Sequence, residues 1–227
     1  MHVSHETIYR ALYVQARGTL RRELTRHLRR GRSRRYARSR SSKGQGRGKL
    51  TGMVVISERP PEVDSRAVPG HWEGDLLMGG GTSAIATLVE RQTRYLQLVA
   101  LPEGTEAERV ADALAASITT LPAQLRRSLT WDQGHEMSEH RRFSVETGVE
   151  VYFCDPRSPW QRGSNETTNG LLGQYFPSGE SLAGVGQEGL DEVAAKLNGR
   201  PRKTLGFRTP AEKLAELLDG HHRAAER

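Results

Sequence analysis

From residue 71 onward the apolar positions change rhythm, and each change marks an element. His71 to Met78, Ser83 to Glu90 and Tyr95 to Leu101 are short apolar runs separated by Gly79-Gly80-Gly81 and by the polar stretch 91–94. Short runs bounded by glycine or polar residues read as strands, and connections this brief fold them into an antiparallel meander. From Glu106 to Leu121 the period becomes helical, with Val110, Leu114, Ile118 and Leu121 on one face. A strand over Ser128 to Asp132 follows, then a helix from about His135 to Thr147 ended by Gly148, then a strand over Val149 to Asp155. Helices are expected at 165–175, 187–198 and 210–218. A meander followed by strand and helix in alternation predicts an α/β fold: a mixed sheet flanked by helices.

The first 50 residues follow a different pattern. Residues 3–17 read as an amphipathic helix capped by Ser4, with Ile8, Leu12 and Tyr9 as its apolar stripe and His5, Glu6 and Arg10 exposed. The recognition helix of a helix-turn-helix and an ordinary surface helix both fit this pattern. Leu20, Leu24 and Leu28 extend it for a turn or two, and beyond Gly31 the apolar content is too low to offset the ordering entropy without a partner. The reading divides the chain into a basic helical arm over 1–50, a proline-stiffened linker over 51–69, a core over 70–218 and a flexible tail over 219–227.

Charge sharpens the division. Residues 1–50 carry 15 Lys and Arg against only Glu6 and Glu23, a net +13; the whole chain is +7, which leaves −6 for the remainder. An acidic core with an arginine-rich arm points to a polyanion, with phosphates met by counterion release and by the guanidinium forks of Arg21, Arg22, Arg29, Arg30, Arg32, Arg34 and Arg35. A single cysteine, Cys154, rules out an internal disulfide, and no apolar run of about 18 residues is present to span a bilayer. The expected setting is a cytoplasm with access to nucleic acid, and not a membrane.

Three acidic residues stand out by their setting. Asp75 interrupts one apolar strand, Asp132 ends another, and Glu166 falls in the first turn of a helix entered through Ser158-Pro159 and the N-cap candidates Ser164 and Asn165. If the sheet brings them together they form an oxygen-only donor set, suited to a hard divalent cation such as Mg²⁺ or Mn²⁺ and not to zinc. The 33 residues between Asp132 and Glu166 leave room for a helix, a strand and a loop that return the chain to the same sheet edge. Other constellations fail. His135 and His140 are five apart and do not stack as a zinc-protease pair, the 79–81 glycines lack a following Lys-Ser/Thr and serve as a hairpin turn, and Cys154 lies in an apolar strand where thiols are inert.

The words around these acids carry a resemblance. Trp-Glu-Gly-Asp-Leu at 72–76, Leu-Thr-Trp-Asp at 129–132 and Tyr-Phe-Cys-Asp-Pro-Arg-Ser-Pro-Trp-Gln-Arg-Gly-Ser-Asn-Glu at 152–166 closely resemble the transposases of insertion-sequence family thirty, in the DDE transposase and retroviral-integrase superfamily. The resemblance implies an RNase H-like core, a triad of Asp75, Asp132 and Glu166 holding two Mg²⁺ ions, and transfer of a DNA 3′ end to a new phosphodiester. It implies transposon ends and target DNA as partners, a homo-oligomer that joins two ends, and no small-molecule cofactor. Within that frame Arg162 is expected on a DNA phosphate, Trp160 in the core ahead of stacking on a base, and Asn169, one turn beyond Glu166, facing the same site. Family members begin with a longer DNA-binding region, so a shortened chain is expected. The competing readings are an RNase H-like nuclease without strand transfer and a noncatalytic DNA-binding remnant acting as repressor or dominant-negative partner.

Overall fold

The computed structural model describes residues 50–81, 83–177 and 179–225, with 220–225 by backbone alone, together with Thr7, Arg10 and Glu23. The chain divides into two compact units, 1–47 and 48–227. In the first, Thr7, Arg10 and Glu23 are helical; the rest of the helix expected over 3–17, and the arginines from Arg21 to Arg35, lie outside the described residues.

The second unit opens with β1 (Val54–Val55), a 3-10 turn over Ile56–Glu58 and a short helix α1 (Pro61–Ser65). Residues 51–69, expected as a linker, thus carry structure of their own. Val63 is fully buried, and the buried Arg59 reaches the Thr130 hydroxyl and pairs with Asp64. The meander follows as β2 (His71–Met78), β3 (Ala84–Glu90) and β4 (Leu96–Ala100), then α2 (Ala107–Thr119) and β5 (Ser128–Trp131). The helix expected from His135 is split. A 3-10 turn takes His135–Met137, and α3 (His140–Thr147) begins after it and ends at Gly148, whose φ of 71° is the left-handed conformation a glycine adopts freely. Then come β6 (Glu150–Phe153), α4 (Gly163–Leu172), α5 (Gln187–Asn198) and α6 (Pro210–Ala225), the last continuing seven residues past the expected Leu218 into the segment taken for a tail.

The six strands form one mixed sheet in the order β1-β6-β5-β2-β3-β4. β1, β6, β5 and β2 pair in parallel, while β2-β3 and β3-β4 are the antiparallel meander. Both faces are covered, so the inner strands are buried on both sides. On one face Trp72, Leu88, Leu129 and Trp131 pack with Val110, Leu114, Ile118 and Phe143 from α2 and α3. On the other, Ile85, Val89, Leu96 and Leu98 pack with Leu171, Leu172, Leu190 and Leu197 from α4 and α5. Gly74 permits a close approach in the first layer: a Cβ there would sit 2.1 Å from the Trp131 ring, so any side chain would displace the tryptophan on the face opposite Asp75.

Side chains on the α4 face of β2 include a buried histidine. His71 Nδ1 lies 2.7 Å from the Ser128 hydroxyl, and burial, followed by Arg127, Arg91 and Arg59, lowers its pKa from 6.5 to about 4. The folded protein therefore refuses a proton that the unfolded chain accepts. This contribution to stability is complete above pH 6.5 and is lost as the pH falls toward 4, amounting to about 3 kcal/mol across the window. Denaturant titrations at a series of pH values should show a shallower acid loss for His71→Asn than for wild type. Equal slopes would show that His71 does not set the acid limit.

Candidate active site

Strand geometry brings the two aspartates together. β2 and β5 run parallel with His71 opposite Ser128 and Glu73 opposite Thr130. Alternate residues share a face, so Asp75, four past His71, and Asp132, four past Ser128, emerge level on the face covered by α4. Asp132 stands one residue beyond β5, where its Oδ1 accepts the Gly134 amide at 3.0 Å and fixes the turn. Asp75 Oδ1 accepts the Leu76 amide at 3.0 Å.

Helix α4 carries the third acid. It begins at Gly163, earlier than its sequence suggests, so Ser164 and Asn165 are not caps; they lie inside the first turn, where helical amides lack partners. Those amides bond instead to Glu73, two residues before Asp75 on the same strand face: its Oε2 accepts Ser164 N at 2.8 Å and Asn165 N at 3.0 Å. The Asn165 side chain is fully buried and donates to the Glu73 carbonyl at 2.9 Å and to Thr87. Glu166 follows on the exposed side, and its carboxylate takes no hydrogen bond from a described residue. One turn on, Asn169 Nδ2 donates to Asp75 Oδ2 at 3.1 Å, while its Oδ1 is buried without a partner among the described residues. Asn169 thus faces the site, holding Asp75 and not Glu166.

Arg162 is the centre of the cluster. Its guanidinium lies 3.2 Å from Asp75 Oδ1 and 3.1 Å from Asp132 Oδ2, and donates to the Gly74 carbonyl at 2.6 Å. Expected on a phosphate, the side chain bridges the two aspartates. Among the described residues no group of three His, Cys, Asp or Glu side chains is arranged to hold a metal ion, and the Arg162 guanidinium stands between Asp75 and Asp132. Burial raises the Asp75 pKa; Arg162 opposes the shift and Asp132 adds to it. The site therefore holds more negative charge than its solvation favours, with one cation offsetting it.

Trp160 departs from the expectation of core packing. It stands on the 3-10 turn Pro159–Arg162 with 71% of its surface exposed, because the turn that buries Arg162 points the neighbouring indole outward. Cys154 is buried and its thiol is pushed up to about 11 by burial, so it is a poor nucleophile, as expected. His140 is buried against the Phe153 ring and bonds to the Met137 carbonyl, while His135 sits on the separate turn, so the pair makes no zinc site.

Residues 65–159 match the family model described as "Integrase core domain", a span that includes Asp75 and Asp132. Over 219 residues the chain is 52% identical to the transposase for insertion sequence element IS1086 of Cupriavidus metallidurans, covering 96% of this chain and 64% of that protein. It is 50% identical over 213 residues to the transposase InsI for IS30A of Escherichia coli, covering 93% of this chain and 55% of that one. The chain belongs to the transposases of insertion-sequence family thirty. Its mixed sheet flanked by helices is accordingly an RNase H-like integrase core. The transposase for insertion sequence element IS4351 of Bacteroides fragilis is a more distant relative, 38% identical over 220 residues. The chain spans 55% to 65% of the length of these relatives. The residue that sequence reading missed is Glu73; the available signal was a glutamate inside a buried strand, on the same alternation as Asp75.

Proposed function

We propose that this transposase-family chain carries out metal-dependent DNA cleavage and strand transfer, with Asp75, Asp132 and Glu166 as its acidic residues. The observation that carries the reading is the meeting of Asp75 and Asp132 on one guanidinium, on the sheet face covered by α4, whose first turn includes Glu166. The donor set fits a hard divalent ion in kind: carboxylate oxygens, an Asn169 Oδ1 unpartnered among the described residues, and no nitrogen or sulfur ligand among them. Mg²⁺ or Mn²⁺, two ions by analogy with phosphodiester chemistry, would be held by Asp75, Asp132 and Glu166 and would supply activation of the attacking oxygen and stabilisation of the leaving oxygen.

The chain's own groups prepare that site. Asn169 holds one Asp75 oxygen while the other meets Arg162, and Arg162 balances both carboxylates where a cation would otherwise do so. With a cation at the aspartates, the Arg162 guanidinium would have its fork available for a DNA phosphate. Trp160, exposed two residues before Arg162, would stack on an unpaired base. The basic arm supplies sequence-independent affinity for DNA, and joining two transposon ends calls for a dimer or larger assembly.

Purified protein, supercoiled plasmid and a labelled 3′-hydroxyl DNA end test this directly. Mn²⁺-dependent nicking with label joined to the plasmid is the expected result. Nicking without joining would leave a nuclease, and binding without cleavage a noncatalytic DNA-binding protein.

A further inference from the structure

Glu73 is a fully buried carboxylate, and among the described residues its side-chain hydrogen bonds lead to the start of α4 or to one arginine. Oε2 accepts the amides of Ser164 and Asn165; Oε1 accepts the Ser164 hydroxyl at 3.2 Å and Arg91 Nη1 at 2.8 Å. Its own carbonyl receives the Asn165 side chain. Arg94 completes the clamp by donating to the Ser164 hydroxyl. The cap comes from a residue about 90 positions away in sequence, and α4 has no side-chain cap of its own.

Among the described residues the other buried glutamate is Glu90, which closes the turn at Thr93. The placement of Glu73 is more consequential. Strand β2 carries Glu73 and Asp75 on one face, and α4 carries the two capped amides immediately before Glu166. One side chain therefore ties the strand of the first acid to the helix turn of the third. A carboxylate is well suited to this position, since it accepts two amides at the positive end of the helix dipole while Arg91 balances its charge.

We propose that Glu73 is a positioning residue of the reaction, holding the first turn of α4 against β2 so that Glu166 is presented at a constant distance from Asp75. It contacts neither DNA nor metal, and the inference rests on the strand-transfer reading above.

The test uses the full chain with Glu73→Gln and with the double variant Glu73→Gln/Arg91→Met, which removes the buried arginine that keeps only the more distant Asp64, at 4.0 Å, in the single variant. Amide hydrogen exchange is followed at Ser164 and Asn165, whose protection cannot come from bonds within the helix. Single-turnover DNA nicking, DNA affinity and melting temperature are measured alongside. In both variants exchange at these two amides should accelerate about tenfold or more, and the nicking rate should fall about tenfold or more with DNA affinity within about twofold of wild type. The double variant should recover melting temperature without recovering the rate. A rate that returns with the melting temperature would reduce Glu73 to a structural role, and unchanged exchange would overturn the cap. A wild-type chain that does not nick DNA would refute the strand-transfer reading and the catalytic role of Glu73 with it, while exchange at the two amides would still report whether the cap exists.

Discussion

Asp132→Asn is expected to abolish metal-dependent nicking, with a rate loss of about a thousandfold or more and a melting temperature within about two degrees of wild type. The two effects separate because the residue works in different surroundings for each. For chemistry, a carboxylate that helps hold the ions contributes several kcal/mol to the transition state, and about 4 kcal/mol is a thousandfold in rate. For stability, the Asp132 side chain is 45% exposed, so its pairing with Arg162 is screened by solvent and adds little. The side-chain oxygen of asparagine still accepts the Gly134 amide and keeps the turn. Single-turnover nicking and thermal melting of the same preparation read both. Cleavage retained by the variant would dissolve the proposed triad.

Arg162→Met should behave in the opposite sense, as a stability defect that divalent cations repair. Its side chain is only 11% exposed, and removing it leaves two carboxylates without their cation and the Gly74 carbonyl without its donor. Breaking a buried pair in this way costs about 3 kcal/mol, roughly 6–12 °C of melting temperature for a domain of this size. In EDTA the variant should melt lower by that amount. Millimolar Mg²⁺ or Mn²⁺ should restore much of the loss and should stabilise the variant more than wild type, because no guanidinium competes for Asp75 and Asp132. Equal metal responses in the two proteins would place ion binding away from these aspartates.

The meander, the α2 stripe and α5 were legible along the chain because each buries one face, and burial writes its period into nearby residues. The two aspartates could be read as site candidates for a related reason: an acid interrupting or ending an apolar strand has no packing role there. The start of α4 could not be read this way. Ser164 and Asn165 have the composition of caps, but Glu73 already satisfies their amides from across the sheet, so the helix starts earlier and needs no cap of its own. Trp160 failed likewise, since an aromatic is apolar in any context and only the turn at 159–162 decides which way it points.

Local periodicity and the words around residues 75, 132 and 166 were enough to determine an α/β core and its family and to nominate its acids. The tertiary structure alone decided what those acids meet: Arg162 between two of them, Asn169 on Asp75, and Glu73 at the foot of the helix bearing Glu166. Secondary structure follows from neighbours within a turn or a strand pair, which a linear pattern records. The balance of charge at a site follows from side chains dozens of residues apart that only the folded sheet makes adjacent.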